Sequence, residues 1–97
     1  MTQKSNYSIS IFFPCYNEQE NVEPLTLKCI EVLKTVCDDY EVIIVNDGSK
    51  DNTAQIADQL AQQNPNVKII NHPTNFGYGA ALQSGFRAAS KELVFYT

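Results

Sequence analysis

Asp47 closes the stretch Glu41-Val42-Ile43-Ile44-Val45-Asn46-Asp47 and opens the turn Gly48-Ser49-Lys50-Asp51-Asn52-Thr53. The residues before it form an apolar, β-branched run, the pattern of a strand buried on both faces of a parallel sheet. Asp47 therefore stands at the carboxyl end of an inner strand, where open α/β sheets bind their ligands. A charge beside a core costs free energy unless something offsets it. An ionised aspartate only accepts hydrogen bonds, so its natural partner is an N–H, such as N3–H of uracil or N1–H and N2–H of guanine. Tyr16, in the turn Pro14-Cys15-Tyr16-Asn17-Glu18, offers a flat face on which a base can stack. Backbone groups at Pro14 could read the adjacent carbonyls.

Each of these residues also has a plainer use. Asp47 could cap the second helix or close its own turn, and Asp51 could cap that helix or touch the ligand. Glu18 could be a first-turn acid favoured by the helix dipole. Gly48 and Ser49 fit turn geometry. Gly77 and Gly79 could let a helix pack closely or could present amides to a phosphate. His72 precedes Pro73, has no partner at metal-ligand spacing and reads as a loop histidine. Lys50 and Arg87 read as solvated. A dinucleotide fold would carry glycines in the turn after its first strand, and a P-loop would carry G-x-x-x-x-G-K-[ST]. Pro14-Cys15-Tyr16-Asn17-Glu18 holds no glycine, and Leu82 stands where Gly77-x-Gly79 would need its third.

The elements that position these turns follow from periodicity. A first strand is expected over Ser8–Phe13, ended by Pro14, which lacks the amide for a central ladder. A helix follows over Asn21–Cys37, with Val22, Leu25, Cys29, Ile30, Leu33, Val36 and Cys37 at helical spacing and Asn21 as cap. A second helix spans Thr53–Gln63, with Ile56, Ala57, Leu60 and Ala61 toward the sheet and Asn64-Pro65-Asn66 as its stop. A third strand covers Val67–Ile70. A third helix covers Tyr78–Ser90, its small residues Gly79, Ala80, Ala81, Gly85, Ala88 and Ala89 permitting close packing. A fourth strand begins at Leu93 and runs to Tyr96. The βαβαβαβ pattern predicts an α/β, Rossmann-like parallel sheet of strand order 3-2-1-4, with right-handed crossovers and helices on both faces. The crevice then lies where the order reverses, beside the first and fourth strands.

Composition narrows the partners. The 97 residues make one domain or part of one, 43% hydrophobic and 19% charged. A net charge of −4 with no basic stripe argues against nucleic acid. Cys15, Cys29 and Cys37 match no zinc or redox spacing and read as reduced, mostly buried thiols of a cytoplasmic protein. The polar start fits no signal peptide, and no run has the length of a membrane span.

Three motifs in order carry a resemblance. Ile11-Phe12-Phe13-Pro14-Cys15-Tyr16-Asn17-Glu18, Val45-Asn46-Asp47-Gly48-Ser49-Lys50-Asp51-Asn52-Thr53 and Asn75-Phe76-Gly77-Tyr78-Gly79-Ala80-Ala81-Leu82 resemble the family 2 glycosyltransferases of the GT-A fold, in their polyprenyl-phosphate (dolichyl-phosphate mannose synthase-like) form. The resemblance implies transfer of a sugar from a nucleotide-diphosphate sugar, UDP- or GDP-linked, to an acceptor, a polyprenyl phosphate ahead of a soluble saccharide. It implies that Pro14, Tyr16, Glu18, Asp47 and Gly77 bind the nucleotide. It places an Asp-x-Asp motif for Mg²⁺ or Mn²⁺, and the catalytic base, beyond Thr97. Residues 1–97 are then the nucleotide-sugar-binding N-terminal part of a GT-A domain, cut before that motif, inactive alone and inclined to self-associate through an open sheet edge. The full-length protein would work in the cytoplasm or on the cytoplasmic face of a membrane. Two departures from the family pattern are Asn46, where a first Asp is usual, and the lack of an arginine near Leu82-Gln83. A non-catalytic α/β interaction module is the alternative reading.

Overall fold

Why the chain adopts alternating strands and helices is visible in which side chains each element hides. The structure, a computed structural model, describes residues 4–97. Seven elements follow one another: β1 (Ile9–Cys15), α1 (Val22–Val36), β2 (Tyr40–Asn46), α2 (Thr53–Gln63), β3 (Val67–Asn71), α3 (Tyr78–Ala88) and β4 (Leu93–Tyr96). The four strands are parallel and ordered β3-β2-β1-β4, as expected.

Successive strand residues point to opposite faces, and each face finds its own cover. On one, Phe13, Val42 and Ile44 pack with Val22, Cys29 and Leu33 of α1 and with Ala57 and Leu60 of α2. On the other, Phe12, Ile43 and Val45 pack with Ala81 of α3. α3 comes so close that a Cβ at Gly85 would lie 2.1 Å from the Phe12 ring, which explains a glycine in mid-helix despite its poor propensity. Gly79 faces open space, so close packing does not account for it.

Three local expectations need correction. Pro14 does not end β1 but pairs with Val45 inside it. Phe12 O accepts from Thr97 N on the β4 side, and Cys15 O accepts from Asp47 N on the β2 side. The strand alternates, so the amide that Pro14 lacks would point toward β4, whose pairing stops at Phe12–Tyr96. Nothing is lost from the ladder. Asn21 makes no side-chain cap to α1; its Nδ2 donates to Glu18 Oε2 at 2.7 Å. Val36 is exposed, and Cys37 lies just after the helix. The inward residue not foreseen is Thr26, which is fully buried and donates its hydroxyl to Val22 O at 2.7 Å.

The amino-terminal edge of the sheet holds a second surprise. Glu41, first residue of the apolar stretch, is buried and anchors a polar cluster. Its Oε2 accepts from the hydroxyls of Ser10 (2.6 Å) and Ser90 (2.9 Å) and from Ser90 N (2.8 Å), and its Oε1 meets Lys68 Nζ at 2.6 Å. Burial disfavours the charge, but Lys68, Ser10 and Ser90 outweigh it and hold the carboxyl at about 2.

Candidate functional site

The carboxyl ends of β1 and β2 each release the chain into a turn, and those two turns are tied together. Asn17 N donates to Ser49 Oγ (2.9 Å), Lys50 N to Asn17 Oδ1 (2.8 Å), and Glu18 N to Thr53 Oγ1 (2.9 Å). Gln19 N reaches Asp51 Oδ2, and Asn52 N reaches Gln19 Oε1. Asn17 takes a positive φ of 55° to make this possible, which asparagine tolerates. Asp51 also accepts from Thr53 N at 2.9 Å, so it supports the start of α2 as its plainer reading expects, and the Thr53 bonds hold its carboxyl below the usual value. Ser49, Asp51 and Thr53 thus serve the scaffold: they hold the turn that carries Tyr16 and Glu18.

Gly48 is the pivot of the second turn. Its φ is +71°, and a Cβ there would lie 2.2 Å from the Thr74 carbonyl carbon. Only glycine meets both conditions, positive φ and backbone-to-backbone approach. That approach brings the loop 72–77, between β3 and α3, against the end of β2.

Asp47 fastens that loop. Its Oδ1 accepts from His72 Nδ1 (2.8 Å) and Phe76 N (2.9 Å), and its Oδ2 accepts from Gly77 N (3.0 Å). The carboxylate is buried, which alone would raise its pKa; His72 and the two amides outweigh burial and lower it. Asp47 is therefore ionised at neutral pH, and it ties the end of β2 to the loop before α3, where the sequence suggested a helix cap, a turn or a ligand. Gly77, at φ +100°, spends its amide on this contact, so that N–H is committed to Asp47. Asn46, buried beside it, donates Nδ2 to Asn71 Oδ1 and accepts at Oδ1 from Ser49 N. An aspartate there could not make the first of these bonds.

His72 is the loop histidine that the sequence suggested, with partners that the sequence did not reveal. It lies in a loop, but its side chain is 8% exposed and spans Asp47 and Ser84, with Nε2 2.7 Å from Ser84 Oγ. Its position two residues before Thr74-Asn75 carried no signal of this, because both partners lie on other elements.

Between the tied turns and α3 opens a cleft of about 450 Å³. Pro14, Tyr16, Glu18, Asp47 and Gly77, the five expected binding residues, all line it, joined by Cys15, Asn75, Tyr78, Ala81 and Thr97. Tyr16 and Tyr78 stand at the cleft with half or more of their surface exposed or nearly so, at 42% and 63%. Tyr78 is an aromatic wall the sequence reading did not single out; its place one residue after Gly77 was the available clue. Cys15 is inert as a nucleophile: burial first, then Glu18 and Asp51, push its thiol up to about 12. Among the described residues no group of three or more His, Cys, Asp or Glu side chains could hold a metal ion. No described helix is long and apolar enough to cross a membrane.

The pattern of the family described as glycosyl transferase family 2 matches residues 10–97. The chain belongs to this family. A dolichyl-phosphate beta-glucosyltransferase of Trichomonas vaginalis is 37% identical to this glycosyl transferase family 2 chain over 86 residues, covering 84% of the chain and 26% of the relative. An undecaprenyl-phosphate 4-deoxy-4-formamido-L-arabinose transferase of Pseudomonas fluorescens is 36% identical over 89 residues, covering 91% and 26%. Among solved structures, TarS of S. aureus superposes with a TM-score of 0.77 at 27% identity, over 93% of this chain and 26% of that one. A mannosyltransferase of Pyrobaculum calidifontis, in complex with GDP-Man and Mn²⁺, gives 0.75 at 26% identity, over 89% and 25%. The family 2 chain thus spans about a quarter of the length of these proteins, and its four parallel strands in the order 3-2-1-4 with flanking helices are those of the GT-A glycosyltransferases.

Proposed function

We propose that the 97 residues are the nucleotide-sugar-binding N-terminal part of a GT-A glycosyltransferase domain. The full-length protein transfers a sugar from a UDP- or GDP-sugar to a polyprenyl phosphate. The observation that carries this reading is the shared cleft: Tyr16 and Asp47, from turns 31 positions apart in sequence, line one cavity at the carboxyl ends of β1 and β2. In it Tyr16 stacks on the base and Asp47 accepts its N–H, while Pro14, Glu18 and Gly77 complete the walls. The polyprenyl-phosphate acceptor rests on the names of the two relatives, and the divalent metal on the mannosyltransferase complex. Mg²⁺ or Mn²⁺ is assigned to residues outside this chain, where it would neutralise the leaving diphosphate. The full-length protein works in the cytoplasm or on the cytoplasmic face of a membrane, the second of which fits a polyprenyl-phosphate acceptor.

The second reading, a scaffold without a ligand, draws on the three internal bonds that Asp47 already accepts. Calorimetric titration of UDP and GDP, each with Mn²⁺, into the full-length protein separates the two. Tyr16 makes no side-chain hydrogen bond to the scaffold, so Tyr16→Ala leaves the fold intact; loss of a stacked base should weaken binding about 5- to 100-fold. Asp47→Ala should weaken it further. Binding unchanged in both variants would rule out the donor site.

A further inference from the structure

Asp47 is the group on which the donor reading turns, and its acceptor capacity can be counted. A carboxylate has about four lone-pair positions, two on each oxygen. His72 and Phe76 take both on Oδ1, and Gly77 takes one on Oδ2. One position remains, on Oδ2, and both Asp47 and Gly77 line the cleft. Three contacts hold the carboxylate turned this way, two from backbone amides and one from a side chain, His72.

The tautomer of His72 follows from its partners. An ionised Asp47 cannot donate, so Nδ1 carries the proton. In the neutral ring Nε2 is then an acceptor, and Ser84 on α3 must donate its hydroxyl to it across 2.7 Å. If the ring gains a second proton, the same hydroxyl turns to accept, and the Nδ1–H bond to Asp47 survives. The ring also lies against Phe76, with centroids 4.7 Å apart. Three neighbours from β2, the loop and α3 thus fix an imidazole that no substrate needs to touch.

We propose that His72, set as the Nδ1–H tautomer by Asp47 and braced at Nε2 by Ser84, is a positioning residue of the donor site: it pins Oδ1 of Asp47 so that a single acceptor position on Oδ2 faces the ligand. This rests on the donor-site reading above. The chemistry selected is one N–H donor on a flat heterocycle, delivered to a carboxylate that has no freedom to rotate.

The test uses the full-length protein and measures binding of UDP and of GDP, each with Mn²⁺, by calorimetry, alongside thermal unfolding. His72→Ala should weaken the tighter of the two nucleotides about tenfold, the scale of one charge-assisted hydrogen bond. His72→Asn, whose side-chain amide can donate to Oδ1, should recover affinity to within about threefold of the parent. In ¹⁵N-histidine spectra the resonance absent from His72→Asn should report the Nδ1–H tautomer in the parent and lose that preference in Asp47→Ala. Should His72→Ala not fold, the asparagine variant carries the test. If Asp47→Ala and Tyr16→Ala lose binding while His72→Ala retains it, the positioning role is overturned and the donor site stands. If His72→Asn restores the melting temperature but not the affinity, the positioning role is likewise overturned. If Asp47→Ala and Tyr16→Ala both bind like the parent, the donor site itself is overturned.

Discussion

Glu41→Gln isolates what a buried charge contributes to this fold. The Glu41 carboxyl falls from an ordinary 4.5 to about 2 in the folded protein, with burial opposing and Lys68, Ser10 and Ser90 favouring the ionised form. Such a fall corresponds to roughly 3 kcal/mol of stability at neutral pH. The sign follows from the direction: a folded pKa below the unfolded one stabilises fully above about 4.5, and the contribution is lost as pH falls toward about 2. Against a total of about 5–15 kcal/mol for a domain, this is a large share. Glutamine keeps the shape but cannot take the charge-assisted bonds, and it leaves Lys68 Nζ without its partner 2.6 Å away. Urea unfolding of the parent and the variant at several pH values between 7 and 2.5 is the assay. The variant should be less stable by roughly 3 kcal/mol at pH 7, with the gap closing as pH falls below about 4.5. A gap that stays constant down to pH 2.5 would refute the reasoning, because the loss would then belong to packing and not to charge.

Gly48→Ala should destabilise by roughly 2–4 kcal/mol, adding positive-φ strain to a clash with the Thr74 backbone, and denaturant midpoints would show it. None of Cys15, Cys29 and Cys37 should react with an aromatic disulfide reagent at pH 8 before unfolding, since all three are buried and burial raises each thiol; fast native-state labelling would contradict this. The outer edge of β4 has no strand beside it among the described residues, and Leu93, Val94, Phe95 and Tyr96 are exposed. We propose that the 97-residue chain self-associates there; sedimentation should show a dimer that Phe95→Lys disperses, and a clean monomer at high concentration would remove the idea.

The strand order, the bounds of α2 and the two-faced core could be read in advance because each rests on local periodicity and on the handedness of crossovers. Ile43 and Ile44 declare opposite faces by adjacency alone. The five residues that the family resemblance named line one cleft, because strand ends mark the crevice. What stayed hidden depends on partners far along the chain. The bond that buries His72 comes from Asp47, 25 positions earlier, and Glu41 is held by Ser90, 49 positions later. Nor could Pro14 be placed inside β1 until it was known that β4 stops short of it. Spacing within one segment carries no trace of such pairings.

The place of β1 in the sheet has a kinetic consequence. It is the earliest strand in the chain, yet it needs neighbours on both sides, and the Ser8 hydroxyl beside it accepts from Glu92 N, 84 positions away. Pairing with β2 can begin as soon as a short αβ unit has been synthesised, whereas the other side waits for nearly the whole described length. Topologies with such distant pairings fold slowly. During that wait an inner, apolar ribbon is open along one flank, and nascent chains are then most exposed to wrong partners and most in need of a chaperone.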